Sequence, residues 1–149
     1  MVLQVQHQRK TFGIPGQDSP KAATGYGHHS WFQSFGFKHG APRDADLVLD
    51  CRFLPNPHWV EKLRPLSGLD RPVREHVLGQ DLTMAFLEQL HGMLDLLLPA
   101  YATEGRSYLS VAFGCTGGRH RSVAVSESVV GHLRAQGYDP LIGHRDIDR

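Results

Sequence analysis

The segment that decides the fold is residues 108–122, whose sequence is YLSVAFGCTGGRHRS. Its first part, residues 108–113, is a short apolar run of the composition that favours β-strands, and it ends at Gly114. A turn with two adjacent glycines follows, and the chain then continues into residues 122–136, whose length and wide apolar stripe favour a helix. A buried strand, a glycine-rich turn and a helix in this order are typical of α/β proteins with parallel strands.

Further strands and helices are predicted on both sides of this segment. The longest helix is predicted because apolar residues recur every three or four positions from Leu82 to Leu97, with Met93 among them. Because the strands alternate with helices, we expect a three-layer α/β fold, in which a mainly parallel sheet carries helices on both faces. The predicted strands are residues 31–37, 47–49, 108–113 and 140–143, and the predicted helices are residues 69–78, 82–101 and 122–136.

Length and composition exclude several classes of function. The chain has 149 residues, of which 40% are hydrophobic and 21% charged, and its 16 Lys and Arg nearly balance 15 Asp and Glu. This balance argues against a domain-wide basic field for nucleic acid, although it permits a local basic patch. Two cysteines are too few for a disulfide framework, and no apolar run is long enough to span a membrane. We therefore expect a cytoplasmic protein without a membrane partner.

The chain divides once, near residue 30. Residues 1–29 are rich in Gln, His, Gly and Pro without a sustained period, and we expect them to form a disordered or extended tail. Apolar residues become denser from Ser30 onward. Residues 30–149 are therefore expected to form a single domain.

Polar sequence follows the predicted carboxyl end of every strand. In open parallel sheets these loops border a common crevice, which is where such proteins bind their ligands. Each of these loops contains a cationic side chain, so we expect the crevice to bind an anion. The cations are Lys38, Arg52, Arg119, Arg121 and Arg145.

The loop after the third predicted strand carries the most specific signal. Gly117 and Gly118 permit backbone conformations that other residues avoid, so successive N–H groups can point toward one anion. The helix that follows adds its unpaired N–H groups and the positive end of its dipole. Arg121, in the first turn of that helix, can hold a phosphate through two parallel hydrogen bonds. Together these features predict a phosphate-binding loop.

The same loop has the C-x5-R-S spacing of cysteine-dependent phosphatases, with Cys115, Arg121 and Ser122 at the fixed positions. In that chemistry the cysteine thiolate attacks phosphorus while the arginine holds the phosphate oxygens. A phosphatase also needs a general acid on another loop. Because residue spacing alone is a weak signal, we favour binding without catalysis. The candidate acids, among which the sequence does not choose, are Asp46, Asp50 and Asp146.

Several other side chains have both a structural and a functional interpretation. The histidines of the crevice loops could bind a metal, but no C-x-x-C or H-E-x-x-H spacing occurs. We therefore expect neither a metal ion nor another cofactor, and favour phosphate or RNA contacts for these histidines. Three aromatic residues could stack on bases, although core packing is favoured. Cys51 could pair with Cys115 under oxidation, although an inert buried thiol is favoured. The histidines are His39, His58, His120 and His144, and the aromatic residues are Phe37, Phe53 and Trp59.

Five segments match a known family and occur in the same order along the chain: SFGFKHG at 34–40, DADLV at 44–48, RFLPNPHW at 52–59, LRPLSGLD at 63–70 and GCTGGRHRSV at 114–123. Through them, the sequence from about Ser34 to its end resembles the C-terminal domain of the RapZ family, bacterial adapter proteins for RNase E. The resemblance implies a fold similar to a subdomain of phosphofructokinase. Family members carry a P-loop nucleotide-binding domain ahead of this one, and no P-loop motif occurs here, so we expect a stand-alone domain.

The resemblance also implies ligands. In its best-known branch the domain binds glucosamine-6-phosphate and small regulatory RNAs, and the motif positions for a phosphosugar site are present here. Together with the loop itself, the candidate ligand-binding residues are Asp50, Arg52, His58, Cys115, Thr116, Gly117, Gly118, His120, Arg121 and Ser122. The candidate RNA-binding residues are Lys38, His39, Arg64 and Arg119.

These features lead to one expected function and two alternatives. We expect a regulatory domain that senses a phosphorylated amino sugar and relays its presence to a partner. The RNA-binding branch of the family ends in basic residues, whereas this chain ends in HRDIDR. The resemblance therefore supports ligand sensing more strongly than RNA binding for this chain. An RNA-binding adapter and a phosphatase with Cys115 as nucleophile are the alternatives. Family membership also implies self-association.

Overall fold

The structure is a computed structural model that describes residues 30–106 and 108–149. The predicted tail, residues 1–29, lies outside the described residues. Short 3-10 turns occur at Phe37–His39 and Pro57–Trp59. Within the described residues the strands are β1 (Ser30–Gly36), β2 (Leu47–Asp50), β3 (Leu109–Cys115) and β4 (Leu141–His144), and the α-helices are α1 (Arg71–Leu78), α2 (Asp81–Thr103) and α3 (Arg121–Ala135).

The four strands form one parallel sheet in the order β2-β3-β1-β4. In the central pair, Phe32 lies opposite Val111, and the last matched residues are Gly36 and Cys115. The loops that leave β1 and β3 therefore begin side by side at one edge of the sheet. The α/β class and the parallel sheet predicted from the sequence are confirmed.

The core lies on the sheet face that carries Val111 and Phe113. All seven residues of β3 are buried, because this strand is central and apolar apart from Ser110. The Phe113 ring lies parallel to the Phe32 ring, with 6.4 Å between their centroids. All three helices contribute apolar side chains to the same cluster. The arrangement of helices on both faces stays a prediction.

Helix α2 differs from its predicted amphipathic pattern. Leu82 and Met93 were expected on the buried stripe, but both side chains are exposed. Leu90 and Leu94 are buried as expected from the sequence, and Leu87 and Leu98 complete the buried stripe. Apolar residues occur on more than one side of this helix, so their spacing identifies a helix without selecting which side packs against the sheet. No helix in the described part of the chain is both long enough and apolar enough to cross a membrane.

Candidate anion-binding site

A cavity of about 700 Å³ opens at the carboxyl edge of the sheet, beside the ends of β1 and β3. Among the described residues that line it, none is Asp or Glu, whereas five are Lys or Arg. A cavity with cations and no carboxylate has a positive potential that favours an anion. The lining residues are Lys38, Asn56, His58, Trp59, Arg64, Pro65, Cys115, Thr116, Gly117, Arg119, His120, Arg121 and Arg149.

The floor of the cavity is a loop that packs its backbone directly on the end of β1. Gly118 has a φ of +79°, a conformation that favours glycine. A Cβ atom on Gly118 would lie 2.4 Å from the backbone nitrogen of Gly36, and one on Gly36 would lie 2.4 Å from the backbone carbon of Gly117. Lys38 N–H also donates to the carbonyl of Thr116 at 3.2 Å. The loop is thus held in one position by contacts that only glycine allows.

Arg121 joins this loop to the segment that follows β2. Its side chain is only 5% exposed. Nη1 donates to the carbonyls of Arg52 at 2.7 Å and Leu54 at 3.2 Å, and Nη2 donates to Thr116 Oγ1 at 3.3 Å. Nε is buried without a hydrogen-bond partner. Of the five guanidinium N–H groups, Nε–H and one Nη2–H have no partner among the described residues, and a paired interaction with a phosphate needs two such donors.

Cys115 and Ser122 lie beneath the loop. The Cys115 side chain is 3% exposed where it lines the cavity, and Ser122 is fully buried. Their Sγ and Oγ atoms are 3.1 Å apart. This contact connects the end of β3 to the first turn of α3.

Two histidines border the cavity in different environments. His120 is buried, and its Nε2 lies 3.2 Å from the carbonyl of Arg64. Burial lowers the pKa of His120, and its hydrogen bonds to the backbone of Leu66 and Arg64 oppose this effect only in part. His58 is exposed, and its ring meets the Trp59 ring edge-on with 5.6 Å between centroids. His120 is therefore uncharged at neutral pH, whereas the His58 ring is open to a ligand.

Arg119 lines the cavity, but its guanidinium is occupied by backbone carbonyl groups. It donates to Pro65 at 2.6 Å, Leu66 at 3.1 Å and Ile147 at 3.5 Å. These bonds connect residues 63–68 to the end of the chain. Arg119 therefore stabilises the wall of the cavity, and its donors are largely used by the protein rather than open to a ligand.

Arg52 and Arg145 were expected to line the crevice and do not. Arg52 forms an ion pair with Asp50 at 2.7 Å and lies 4.0 Å above the centre of the Phe37 ring. The hydrogen bond from Arg52 lowers the pKa of the Asp50 carboxyl group. Arg145 forms an ion pair with Asp146 at 2.8 Å. Both arginines are neutralised by acids one or two positions away in the chain.

Three further residues of the predicted crevice loops, Asp50, His39 and His144, do not line the cavity either. Asp50 is held by Arg52 and does not line the cavity. His39 lies outside the lining, and its Nε2 is buried without a hydrogen-bond partner. His144 lies between Ser34 Oγ at 2.7 Å and Glu127 Oε1 at 2.8 Å. The sheet edge therefore brings together only part of the predicted set.

None of the three candidate general acids lines the cavity. Asp46 precedes β2, accepts the Ser110 N–H at 2.8 Å and pairs with Arg106. It thus lies at the opposite edge of the sheet. Asp50 and Asp146 are held in ion pairs with neighbouring arginines.

Four lining residues were not assigned to the site from the sequence: Asn56, Trp59, Pro65 and Arg149. Trp59 was expected in the core, but it is 79% exposed, because the Pro57–Trp59 turn projects it from the surface. Asn56 caps that turn, with its Oδ1 accepting the His58 N–H at 3.1 Å. Arg149 comes from the last turn, with its Nε 3.5 Å from Asp146. The Pro-Asn-Pro sequence signals a capped turn and could have identified Asn56, whereas the placement of Arg149 has no local signal.

Comparison with known proteins identifies the family of this chain. The model of the RapZ C-terminal domain family matches residues 30–148. A nucleotide-binding protein of Geobacter sp. (strain M21) is 57% identical over 117 residues, which are 78% of this chain and 41% of that protein. A nucleotide-binding protein of Thermobifida fusca is 56% identical over 116 residues, which are 78% of this chain and 40% of that protein. A nucleotide-binding protein of Frankia alni is 49% identical over 138 residues, which are 93% of this chain and 45% of that protein. The chain spans less than half of each relative. By the extent of the family match, the chain belongs to the RapZ C-terminal domain family.

Proposed function

We propose that this domain senses a phosphorylated amino sugar, such as glucosamine-6-phosphate, and relays its presence to a partner. The observation that carries the proposal is the cationic cavity above a glycine loop, with the Arg121 Nε buried without a hydrogen-bond partner. Its volume of about 700 Å³ is suited to a small metabolite. The amino end of α3 adds the favourable end of a helix dipole.

The cavity divides the contacts between phosphate and sugar. We assign the phosphate to Thr116, the backbone of Gly117, and Arg121, whereas Gly118 does not line the cavity. His58 and Asn56 line the cavity next to this loop and are assigned to the sugar hydroxyls. Asp50 is not assigned to the amine, because Arg52 already occupies its carboxylate.

Removing one exposed cation of the cavity tests this proposal. Lys38 lines the cavity and is exposed, so Lys38→Ala is expected to leave the fold intact. Loss of a charge-assisted contact should weaken binding of glucosamine-6-phosphate about tenfold, or about 1.4 kcal/mol. Isothermal calorimetry measures the affinity, with glucosamine and inorganic phosphate as separate titrants.

Lys62→Ala is the matched control, because Lys62 is also exposed but lies outside the lining. Its affinity for the sugar phosphate is expected to equal that of the parent protein. An equal loss in both variants, or no heat from any sugar phosphate at millimolar concentration, contradicts the proposal.

RNA binding at the same opening is a second candidate, favoured by one observation. The exposed Trp59 ring shares the cavity lining with Lys38 and Arg64, and aromatic rings beside cations bind unpaired bases. If a short single-stranded RNA binds here, its affinity should fall steeply with salt, and Trp59→Ala should cost about 1–3 kcal/mol. Phe53→Ala, an exposed aromatic outside the cavity, is the control. A flat salt response in a filter-binding assay contradicts this candidate.

Catalysis is the less favoured alternative. The Cys115–Ser122 contact and Arg121 fit the C-x5-R-S arrangement. However, no described residue that lines the cavity is a carboxylic acid able to protonate a leaving group. We therefore favour binding over phosphate hydrolysis.

A further inference from the structure

The two cysteines lie next to each other on neighbouring strands. Asp50 is matched with Gly114 in the parallel register of β2 and β3. Cys51 directly follows Asp50, and Cys115 directly follows Gly114. Cys51 N–H donates to the Gly114 carbonyl at 2.7 Å, so the ladder continues to this point. Adjacent strands are about 4.8 Å apart, within the range of Cα separations that a disulfide spans.

Their side chains also point to the same side of the sheet. Leu49 and Phe113 are a matched pair that faces the core, and residues two positions further along a strand share that face. Cys51 and Cys115 occupy those positions, and both are buried free thiols. Burial raises the pKa of the Cys51 thiol, and the nearby Cys115 sulfur raises it further.

Access differs between the two thiols. Cys115 lines the cavity and is 3% exposed, whereas Cys51 has no exposed surface and belongs to the core cluster. In this arrangement Cys115 would be oxidised first to a sulfenic acid, and the neighbouring Cys51 would then convert the sulfenic acid to a disulfide.

We propose that Cys115 and Cys51 are a peroxide-oxidation site that closes to a reversible disulfide. The Cys115 thiolate attacks one oxygen of hydrogen peroxide, the O–O bond breaks, and the leaving hydroxide takes a proton to become water. The Cys51 sulfur then attacks the resulting sulfenic acid, the S–O bond breaks, and a second water leaves. Two thiols are oxidised to one disulfide, and one peroxide is reduced to two water molecules.

This oxidation would act on the phosphate loop, and that part of the inference rests on the proposed function. Drawing Cys115 Sγ toward Cys51 breaks its 3.1 Å contact with Ser122. Cys115 directly precedes Thr116, and Cys51 directly precedes Arg52; both neighbours hold the Arg121 guanidinium. The loop cannot absorb the shift easily, because Gly118 is packed against the backbone of Gly36. Oxidation should therefore lower the affinity for phosphate.

Intact mass and calorimetry test the two parts separately. After exposure to hydrogen peroxide, the full chain is expected to lose two hydrogens in mass, to yield a Cys51–Cys115 cross-linked peptide, and to regain its mass with dithiothreitol. Its affinity for inorganic phosphate is expected to fall at least tenfold and to recover on reduction. If the reduced protein binds no phosphate, the proposed function fails while the mass measurement still decides on the disulfide.

Cys51→Ser and Cys51→Ala are the control variants, two being used because either replacement affects a core position. In both, Cys115 is expected to stop at a sulfenic acid that dimedone labels, with no cross-link. Overoxidation of the parent chain without an intramolecular cross-link, or cross-links only between chains, would overturn the inference.

Discussion

Replacing Gly118 by alanine is expected to destabilise the protein by roughly 2–5 kcal/mol, through backbone strain of about 1–2 kcal/mol and overpacking of about 1–3 kcal/mol. The strain arises because the φ of +79° is unfavourable for a residue with a Cβ atom. The overpacking arises because that Cβ would lie 2.4 Å from the nitrogen of Gly36 and 2.7 Å from the backbone carbon of Phe35. Backbone atoms in a central strand cannot rotate out of the way. The midpoint and slope of a urea unfolding curve measure the loss.

Gly117→Ala is the matched control for this substitution. It changes the adjacent glycine of the same loop, but its Cβ would have Lys38 Cε at 4.0 Å as its nearest neighbour, and its φ is not positive. We expect its free energy of unfolding to change by no more than about 0.5 kcal/mol. Equal losses in the two variants would show that the close approach of Gly118 to β1 does not hold the loop.

Replacing Asp146 by asparagine is expected to cost about 3 kcal/mol at neutral pH, since it removes a buried charge with three donors. Asp146 is fully buried, and its carboxylate accepts the Gly36 N–H at 2.8 Å and pairs with Arg145 at 2.8 Å and Arg149 at 3.5 Å. Asparagine keeps one acceptor oxygen but loses the charge and directs an NH₂ group at these donors.

The cost of this substitution should depend on pH. Burial raises the pKa of Asp146, but hydrogen bonds from Arg145 and the Gly36 amide lower it more, so the pKa lies below its ordinary value of 3.8. A carboxyl group whose pKa is lower in the folded state stabilises the protein fully above the unfolded pKa. That stabilisation is lost as pH falls through the folded pKa.

Urea unfolding at neutral pH and in acid measures this dependence. The difference in unfolding free energy between the parent protein and Asp146→Asn is expected to be largest at pH 7 and to shrink below about pH 4. Asp148→Asn removes an exposed acid from the same turn and is the control, with little expected effect. A difference that stays constant between pH 7 and acid would contradict the assigned role of the carboxylate.

The fold was predictable because its signal is local. A mostly apolar central strand, a Gly-Gly turn and a helix start are all present within residues 108–122, and their order allows few topologies. The packed side of α2 was not predictable in the same way. Leu82 and Leu90 each lie four positions from Phe86, so the spacing alone does not distinguish them. Only packing against the sheet determines that Leu90 is buried and Leu82 exposed.

The site was predictable in position and only partly in composition. The carboxyl edge and the Gly-rich loop followed from general rules for parallel sheets. The loss of Arg52 and Arg145 from the cavity had a sequence signal, since Asp50 and Asp146 are their close neighbours in the chain. The exposure of Trp59 and the approach of Arg149 depend on how distant segments fold against each other, which residue spacing does not encode.

Arg121 donates hydrogen bonds to the carbonyls of Arg52 and Leu54, the two residues on either side of Phe53. The Phe53 ring is about half exposed and meets Phe86 of α2 edge-on, with 5.0 Å between centroids. Any rotation of the guanidinium toward a bound anion would therefore alter the peptide groups on both sides of this outward-facing ring. If anion binding moves the guanidinium, anion binding and the position of the Phe53 ring are thermodynamically coupled, and a macromolecule that docks on Phe53 would change the affinity for the anion by the same factor as the anion changes the affinity for the macromolecule.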